Sequence, residues 1–412
     1  MRILIYMNIL FLGGILDDSV HHELKIGCVE PFGAPANSHQ MAFIDGLHKC
    51  GGKITLCNSP FIGMFPSKHK AWRVLSRKWK YNNTIEAYDI GYLNIFLFKQ
   101  LGRLIGCKKV IKKWIEENKS EKSIILCYDG YLPYVAALRY AKKINPKIQN
   151  SIILMDMPTQ PSQRKSRDFM YYAAKFSGWL SLRYLKYVDG FILLAKDMKD
   201  LFKVGRRPYV IVEGILDTNI VAKHEQSNKE KTIVYTGGVH EKYGIAKLVK
   251  AFMMVNAPEW RFIVCGLGDY ASNLESAQKQ DPRINYMGKV AHEESLKFQR
   301  SAGILVNPRP NEGDYTKYSF PSKTIEYLAA GSPVVCYKLA GIPDDYDSYL
   351  QYIAGDSVEA LKDKLEALIN LPDENRKLIG SKGREFVLRE KNSFSQCKKI
   401  MGMYEELFSA KT

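Results

Sequence analysis

The sequence predicts an α/β protein of two domains, each built on a parallel β-sheet. Short apolar runs alternate with longer amphipathic stretches along the whole chain, which is the pattern of repeated strand-helix-strand units. The 412-residue chain is too long for one ordinary hydrophobic core and long enough for two domains of about 150 to 250 residues. A polar segment without apolar periodicity, residues 217–231, separates two sets of strands.

The strands of both halves are short apolar runs, and a helix follows them at the C-terminus. In the first half we expect strands at residues 8–12, 53–57, 123–128, 151–155, 190–194 and 210–213; in the second half, at residues 232–236, 261–265, 284–287, 303–306 and 333–337. Apolar residues at helical spacing from 393 to 408 predict an amphipathic helix with one buried face. The predicted domains are therefore 1–217 and 218–390, followed by a helix in 391–412.

The charge of the chain is uneven. The net charge is +17, and residues 1–217 hold 33 Lys and Arg against 18 Asp and Glu, whereas the remainder is nearly neutral. A basic domain attracts polyanions, which include anionic lipid headgroups, phosphorylated acceptors and nucleic acid, and charge alone does not choose among them.

Two stretches of the basic half mix cations with aromatic residues: SKHKAWRVLSRKWK (67–80) and RKSRDFMYYAAKFSGWLSLRYLKY (164–187). Both suit a helix lying on an anionic membrane, and the alternative is an ordinary helix with its aromatic face in the core. No run approaches the roughly 18 consecutive apolar residues that span a bilayer, so we expect any membrane association to be peripheral.

Two glycine turns follow strands in the second half. In TIVYTGGVHEKYG, Gly237 and Gly238 form a turn whose amides can approach an anion, with Lys242 nearby; the alternative is a simple connecting turn. In RFIVCGLGDYAS, Gly266 and Gly268 fit the weak G-x-G-x-x-G/A pattern, which here favours a loop lining a nucleotide site over a full dinucleotide fingerprint.

The most informative segment is ILVNPRPNEGDYTKYSFPSKTIEYLAAGSPVVCYKLAGIPDDYD, where a buried strand is followed by a polar loop and then a helix. Pro321 is predicted to open that helix, with Ser322 and Lys323 in its first turn. The helix amides, the hydroxyl and the ammonium group are suited to bind phosphate. The Glu326 carboxylate, one turn on, is suited to accept hydrogen bonds from ribose hydroxyls.

YSFPSKTIEYLAAGSPVV resembles the donor-site signature of GT-B glycosyltransferases similar to family 4, particularly the branch that builds bacterial capsular, exopolysaccharide and lipopolysaccharide chains. TGGVHEKYGI, the GLGD loop and INYMGKVAHEESLKFQRSAGILVNPR have counterparts in it. The resemblance implies two Rossmann-like, doubly wound domains facing a central cleft. It also implies metal-independent, retaining transfer from a UDP- or GDP-sugar, without another cofactor, to a lipid-linked or polysaccharide acceptor. Such a protein would lie in the cytoplasm on the inner face of the plasma membrane and bind no nucleic acid.

Carried over by position, the resemblance implies roles for individual residues of the second half. Glu326 would bind the donor ribose, and Lys242 and Lys323 would stabilise the leaving diphosphate as catalytic cations. The other implied donor contacts are Gly237, Gly238, Gly266, Gly268, Val290, Ser319, Phe320, Pro321 and Ser322. The family's usual first glutamate falls at Tyr318, and we leave open whether this residue or Glu312 takes its place.

The first domain would complete the site. The candidate acceptor-side residues are Gly33, Ala34 and Asn37, in a predicted loop after the first strand, and Tyr131. Asp129 is a candidate for orienting the sugar or the acceptor hydroxyl, and capping of a helix near residue 132 is an equal alternative. The Asp-x-Asp at 345–347 is interpreted as a solvated loop. Two alternatives to a transferase stay open. One is a nucleotide-sugar 2-epimerase, which can share the two-domain fold. The other is a non-enzymatic protein that binds membranes or polyanions on a degenerate transferase fold.

Overall fold

The computed structural model describes residues 7–29, 34–118, 122–155, 169–217 and 228–409. It forms two compact units: the first comprises the described parts of Met1–Ile215 and Ser393–Thr412, and the second is Leu216–Asn392. Every strand expected from the sequence is present, with ends that match or differ by at most two residues. Strong local apolar patterns therefore located most strands of both sheets. The strands that were not predicted are Arg73–Val74, Arg77–Tyr81, Ile85–Asp89, Tyr92–Leu93 and Leu350–Tyr352.

The first unit contains an eight-stranded sheet and a separate two-stranded pair. The large sheet has the order β10-β9-β8-β7-β1-β2-β5-β4 and is parallel except where β4 pairs with β5. The strands are β1 (Met7–Gly13), β2 (Gly52–Asn58), β3 (Arg73–Val74), β4 (Arg77–Tyr81), β5 (Ile85–Asp89), β6 (Tyr92–Leu93), β7 (Ser123–Tyr128), β8 (Gln149–Leu154), β9 (Gly190–Leu193) and β10 (Tyr209–Ile211). Strands β3 and β6 form the small antiparallel pair.

Helices connect these strands. They are α1 (His22–Ile26), α2 (Ala34–Lys49), α3 (Phe96–Glu117), α4 (Leu132–Ile144), α5 (Phe169–Tyr184) and α6 (Met198–Leu201). Strands β2 and β7 lie on either side of β1, so the chain changes direction across the sheet between β1 and β7. The carboxyl ends of strands at such a reversal are where open α/β sheets bind ligands.

The second unit contains a six-stranded parallel sheet of order β13-β12-β11-β14-β15-β16. Its strands are β11 (Thr232–Thr236), β12 (Arg261–Cys265), β13 (Ile284–Gly288), β14 (Ile304–Asn307), β15 (Val334–Cys336) and β16 (Leu350–Tyr352). Its helices are α7 (Ile245–Met254), α8 (Ala271–Gln280), α9 (His292–Ser301), α10 (Lys323–Ala330), α11 (Val358–Ile369) and α12 (Asp373–Glu390). The reversal here lies between β11 and β14.

The last helix, α13 (Ser393–Ser409), is part of the first unit. Its apolar face joins the core beneath β1 and β2, with Ile400 and Tyr404 fully buried. The hydroxyl of Tyr404 lies 2.8 Å from that of Ser151 on β8. At Gly46 on α2, a Cβ atom would lie 2.3 Å from the Ser393 carbonyl oxygen, so the two helices pack in backbone contact.

The prediction of a helix over residues 67–80 is wrong. Part of this stretch is the edge strand β4, which pairs antiparallel with β5, and the rest forms turns and β3. Trp79 donates a hydrogen bond from its indole nitrogen to the Asp89 carboxylate at 2.8 Å. Because this partner comes from the neighbouring strand, a tertiary contact overrides the helical spacing of the cations and aromatic residues.

The second basic aromatic stretch is helical where it is described, as α5, whereas residues 164–168 lie outside the described ranges. The alternative of a buried aromatic face is wrong, because four large side chains along one stripe of the helix are exposed by 47 to 73%. They are Phe169, Tyr172, Phe176 and Trp179.

Candidate active site

The loops that follow β11 and β12 are packed against each other at the carboxyl edge of the second sheet. Gly237 donates its amide to the Cys265 carbonyl at 2.9 Å. Gly266 has φ +146°, and a Cβ atom there would lie 1.7 Å from the Gly237 carbonyl oxygen. Only glycine fits this position. Gly268 lies in the same loop. On one side of it the Leu267 carbonyl accepts the Val239 amide, and on the other side the Asp269 carboxylate accepts the Glu241 amide.

The loop that follows β14 reaches the same edge. Gly244, which precedes α7, has φ +80°, and a Cβ atom would lie 2.0 Å from the Pro308 carbonyl oxygen. Buried Tyr327 of α10 holds the end of β11, because its hydroxyl accepts the Thr236 amide at 2.8 Å and donates to the Thr236 carbonyl at 3.1 Å. These bonds fix the start of α10 beside the glycine turn that follows β11.

Lys323 and Glu326 form an ion pair in the first turn of α10. The ammonium nitrogen lies 2.6 Å from a carboxylate oxygen, and each side chain is about one-third exposed, at 30% and 33%. Ser322 is the N-cap residue, and its exposed side chain makes no capping hydrogen bond. A cation, a carboxylate and a hydroxyl are thus available together at a helix N-terminus, where the helix dipole favours an anion.

Several predicted donor residues have a structural role. The side chain of Phe320 is 7% exposed and packs on Tyr346, with ring centroids 5.4 Å apart, so its ring is part of the core. Pro321 is buried and its carbonyl accepts the Thr324 amide at 2.8 Å, which places it before rather than inside the helix. Because the Gly237 amide already donates to the Cys265 carbonyl, the glycine turn has fewer free backbone N–H groups for an anion than its sequence suggests.

The remaining predicted donor residues lie at the same edge. Lys242 is exposed in the 3-10 turn Glu241–Tyr243, with its ammonium 5.2 Å from the Tyr243 ring centre. Val290 is partly exposed two residues beyond β13, whose last residue, Gly288, accepts the Gly266 amide at 2.7 Å. Glycine packing, rather than side-chain pairing, thus joins the loops of four neighbouring strands.

Arg309 was not among the site residues predicted from the sequence. It follows β14 at the reversal point, and its guanidinium donates to the Ser319 hydroxyl at 3.1 Å and lies 4.9 Å from the Tyr315 ring centre. Its buried Nε has no hydrogen-bond partner among the described residues. A basic residue directly after a buried strand at a reversal point was the available signal, because such positions face ligands in α/β sheets.

In the first unit, Asp129 does not cap α4. The N-cap residue of α4 is Tyr131, and Asp129 has φ +69° directly after β7. Its carboxylate accepts the adjacent Gly130 amide at 2.6 Å, because the left-handed backbone turns the side chain towards that amide. Asp129 remains partly exposed at the carboxyl edge of the sheet, which is compatible with an orienting role.

The predicted acceptor loop 33–37 is mostly helix, because α2 begins at Ala34. Gly33 lies outside the described residues. Asn37 is buried, and its amide accepts from the Leu16 nitrogen at 2.7 Å and donates to the Leu16 carbonyl at 3.1 Å. Asn37 therefore holds the loop that follows β1 and does not present its amide to an acceptor.

Tyr131 belongs to a cationic cluster that the sequence did not indicate. Its hydroxyl accepts from buried Arg103 of α3 at 3.0 Å and donates to Gln100. Arg103 also donates to the Pro60 carbonyl at 2.6 Å and to the Tyr92 hydroxyl at 2.8 Å. One turn earlier, Lys99 donates to the Ile62 carbonyl at 2.7 Å. Burial, reinforced by the charge of Arg103, lowers the pKa of Lys99 to about 7.

Comparison with known proteins finds a family match within the second unit. Residues 230–371 match the family model for glycosyl transferases group 1. The phosphatidylinositol N-acetylglucosaminyltransferase gpi3 subunit of Schizosaccharomyces pombe is 23% identical to this chain over 170 residues, which are 40% of this chain and 36% of that protein. The match thus spans about a third of this curated relative.

Two solved structures share the fold over nearly the full length. Trehalose 6-phosphate synthase of Burkholderia multivorans superposes with a TM-score of 0.60 at 11% identity, covering 99% of this chain and 100% of that one. The E. coli trehalose-6-phosphate structure bound with UDP-2-fluoro glucose gives a TM-score of 0.61 at 10% identity, covering 97% and 99%. The predicted GT-B fold of two Rossmann-like domains is confirmed.

The two aspartates of the Asp-x-Asp motif in the second unit lie near lysines. The Asp345 carboxylate lies 2.6 Å from the Lys391 ammonium, and the Asp347 carboxylate pairs with Lys338 and accepts from the Tyr352 hydroxyl at 2.8 Å. In the described ranges, no three His, Cys, Asp or Glu side chains form a group able to hold a metal ion. The two aspartates thus contribute to ion pairs around the 3-10 turn Asp344–Tyr346.

Lys99 should make stability depend on pH. Its folded pKa of about 7 lies below the ordinary 10.5, so between these values the unfolded chain binds more protons and stability rises with pH. We expect the free energy of unfolding of the wild type, measured by urea denaturation, to rise relative to Lys99→Met by up to about 1.4 kcal/mol per pH unit in this window. A difference that stays constant from pH 7 to pH 10 would contradict the burial of a titrating amine.

Proposed function

We propose that this protein transfers a sugar from a UDP- or GDP-sugar to a lipid-linked or polysaccharide acceptor in cell-surface glycan synthesis. The observation that carries the proposal is the Lys323 and Glu326 pair at the start of α10, beside the reversal point of a glycosyl transferase group 1 domain. Transfer proceeds with retention and without a metal ion, and the protein acts on the cytoplasmic face of the membrane.

In the proposed reaction the ion pair of α10 changes partners when the donor binds. Glu326 accepts the ribose hydroxyls, and Lys323 turns to the diphosphate, so each charge keeps a hydrogen-bonded partner. As the bond from the sugar to the diphosphate breaks, negative charge grows on the leaving group. Preorganised cations stabilise that charge, and this is the main contribution of the protein to rate.

Arg309 supplies the second cation of the proposed diphosphate site. In the family that the sequence resembles, a basic residue usually accompanies the phosphate lysine, and its position falls near Gly238 here. Arg309 instead contacts the loop before α10, where it donates to the Ser319 hydroxyl. Its unpartnered Nε retains a donor for an anionic ligand. Lys242, in the turn after β11, approaches from the other side of the reversal point.

The proposal is tested by incubating the full chain with labelled UDP- and GDP-sugars and a lipid extract of cells that make a surface glycan. We expect a labelled lipid or polymer product in the presence of EDTA, with the anomeric configuration of the donor when examined by NMR. A changed sugar epimer formed without acceptor would instead indicate the epimerase. Absence of any product with every donor, from a folded sample, would favour the non-enzymatic alternative.

One face of the first unit suits an anionic membrane. On α3, Leu97, Phe98, Leu101 and Ile105 are exposed by 44 to 70%, and the rings of Phe96 and of Phe169 on α5 lie 6.2 Å apart. With the α5 stripe these residues form an apolar surface of two helices. Basic residues continue the same helix faces at i+3 or i+4 spacing: Lys108 and Lys112 on α3, and Arg183 on α5. Among the described residues no helix has the length and apolarity needed to cross a bilayer.

We expect the double variant Phe98→Ser and Phe176→Ser to bind phosphatidylglycerol vesicles at least tenfold more weakly than wild type in a sedimentation assay, because each change removes apolar surface that would enter the bilayer. The matched control is Leu378→Ser on α12, which is exposed by 54% and lies in the other unit. Equal binding by the wild type and the double variant would contradict docking through α3 and α5.

A further inference from the structure

We propose that Lys99 and Arg103 form a phosphate-binding site in the first unit. They lie four residues apart on α3 and therefore on one helix face. Their side chains converge on the loop that follows β2, where Lys99 donates to Ile62 and Arg103 donates to Pro60. The proposal rests on the proposed function, since it assigns the phosphate to the acceptor.

The two cations are buried without a compensating acid. Lys99 is 8% exposed and Arg103 is 3% exposed, and no carboxylate in the described ranges pairs with either. The Arg103 Nε is buried without a hydrogen-bond partner. While both are protonated, two adjacent buried cations repel each other and lose hydration, and the cluster relieves this cost either by losing the Lys99 proton or by binding an anion. An anion is therefore the partner that lets both groups keep their charge.

The position of the cluster is also that of a ligand site. The loop from Pro60 to Ile62 follows β2, and Tyr131 follows β7, the strands on either side of β1. Tyr134 donates its hydroxyl to the carbonyl of Gly13, the last residue of β1, at 2.6 Å. The cluster thus lies over the reversal point of the first sheet, where open α/β sheets bind ligands.

Access to the cluster depends on one side chain. Tyr131 is partly exposed and joins Arg103 to the exposed Gln100. Rotation of the Tyr131 ring would break these two hydrogen bonds and the ring contacts with Phe61 and Tyr134, and would free one edge of the guanidinium. A phosphate group carries between one and two negative charges at neutral pH and offers three acceptor oxygens, so it matches two cations and the freed tyrosine hydroxyl.

Phosphate binding is tested by calorimetry on the full chain with saturating UDP or GDP, whichever of the two binds, so that the donor site is occupied. The probes are inorganic phosphate, a hexose phosphate, a short polyprenyl phosphate and the neutral hexose. We expect the phosphates, but not the neutral hexose, to bind wild type, and Lys99→Gln to weaken binding at least tenfold. The polyprenyl phosphate binds more tightly than the hexose phosphate if the acceptor is a lipid, and more weakly if it is a soluble sugar phosphate.

Lys109→Gln is the matched control, because Lys109 is exposed on the same helix and the substitution removes the same charge. Unchanged phosphate affinity in Lys99→Gln, or no binding to wild type, would overturn the proposal. If Lys99→Gln does not fold, the wild type is titrated with acid and base by NMR of 13C-labelled lysine, with and without phosphate. We expect phosphate to raise the pH midpoint of the Lys99 amine. An unchanged midpoint would overturn the proposal. UDP or GDP binding without phosphate binding would leave the donor function standing and remove only this inference.

Discussion

Replacing Lys323 by alanine is expected to lower kcat/KM for the nucleotide sugar by about a hundredfold to a thousandfold, the usual cost of removing one preorganised group that stabilises transition-state charge. The loss should appear mainly in kcat, because the negative charge on the leaving diphosphate grows as the bond breaks. It is measured from initial rates of labelled product formation at varied donor concentration.

Lys279→Ala provides the control, since Lys279 is exposed on α8 of the same unit and loses the same charge. It should retain the wild-type rate. A Lys323→Ala enzyme with wild-type kcat and a raised KM would show that Lys323 binds the donor equally in ground and transition states. Wild-type values for both constants would remove Lys323 from the site.

Gly266→Ala should lower the free energy of unfolding of the second unit by about 3 to 5 kcal/mol, because two costs add. The backbone φ of +146° belongs to a region that only glycine occupies readily, and the new Cβ atom would lie 1.7 Å from the Gly237 carbonyl oxygen. The neighbouring atom is backbone in a packed turn, so it cannot rotate away. Denaturant unfolding, followed by the fluorescence of buried Trp260, measures the change.

Gly288→Ala separates the two costs. Gly288 also has a positive φ, +62°, but a Cβ atom there would meet nothing within 4 Å. Only the backbone strain of about 1 to 2 kcal/mol should remain. Equal destabilisation by both substitutions would mean that the contact between the loops after β11 and β12 contributes nothing, and that the glycine turn is not held by its neighbour.

The donor side of the fold was predictable because its signals are local. Strands β11, β12 and β14 are continuous apolar runs, and the segment from Ser322 to Glu326 carries its hydroxyl, cation and carboxylate within about one helical turn. The parallel sheet then brings the loops together without further information, since carboxyl ends of parallel strands share one edge. The role of Tyr327 in joining α10 to β11 was not predictable, because Thr236 lies far away in sequence.

The errors and omissions concern residues whose partners are distant along the chain. Trp79 appears helical by spacing, yet its partner Asp89 lies on the adjacent strand. Asn37 looks like a loop residue, yet it bonds the backbone at Leu16. Lys99 and Arg103 resemble ordinary cations of an amphipathic helix, and only the fold shows that carbonyl and tyrosine oxygens surround them without a carboxylate.

Calorimetric titration of UDP and GDP into wild type and Glu326→Gln tests the donor site most directly. We expect one nucleotide to bind wild type, and Glu326→Gln to bind it at least tenfold more weakly, because the neutral amide loses charge-assisted hydrogen bonds to the ribose. Glu275→Gln on α8, which is exposed, should bind as wild type does. Binding of neither nucleotide to folded wild type, or equal binding by wild type and Glu326→Gln, would contradict a nucleotide site at the start of α10.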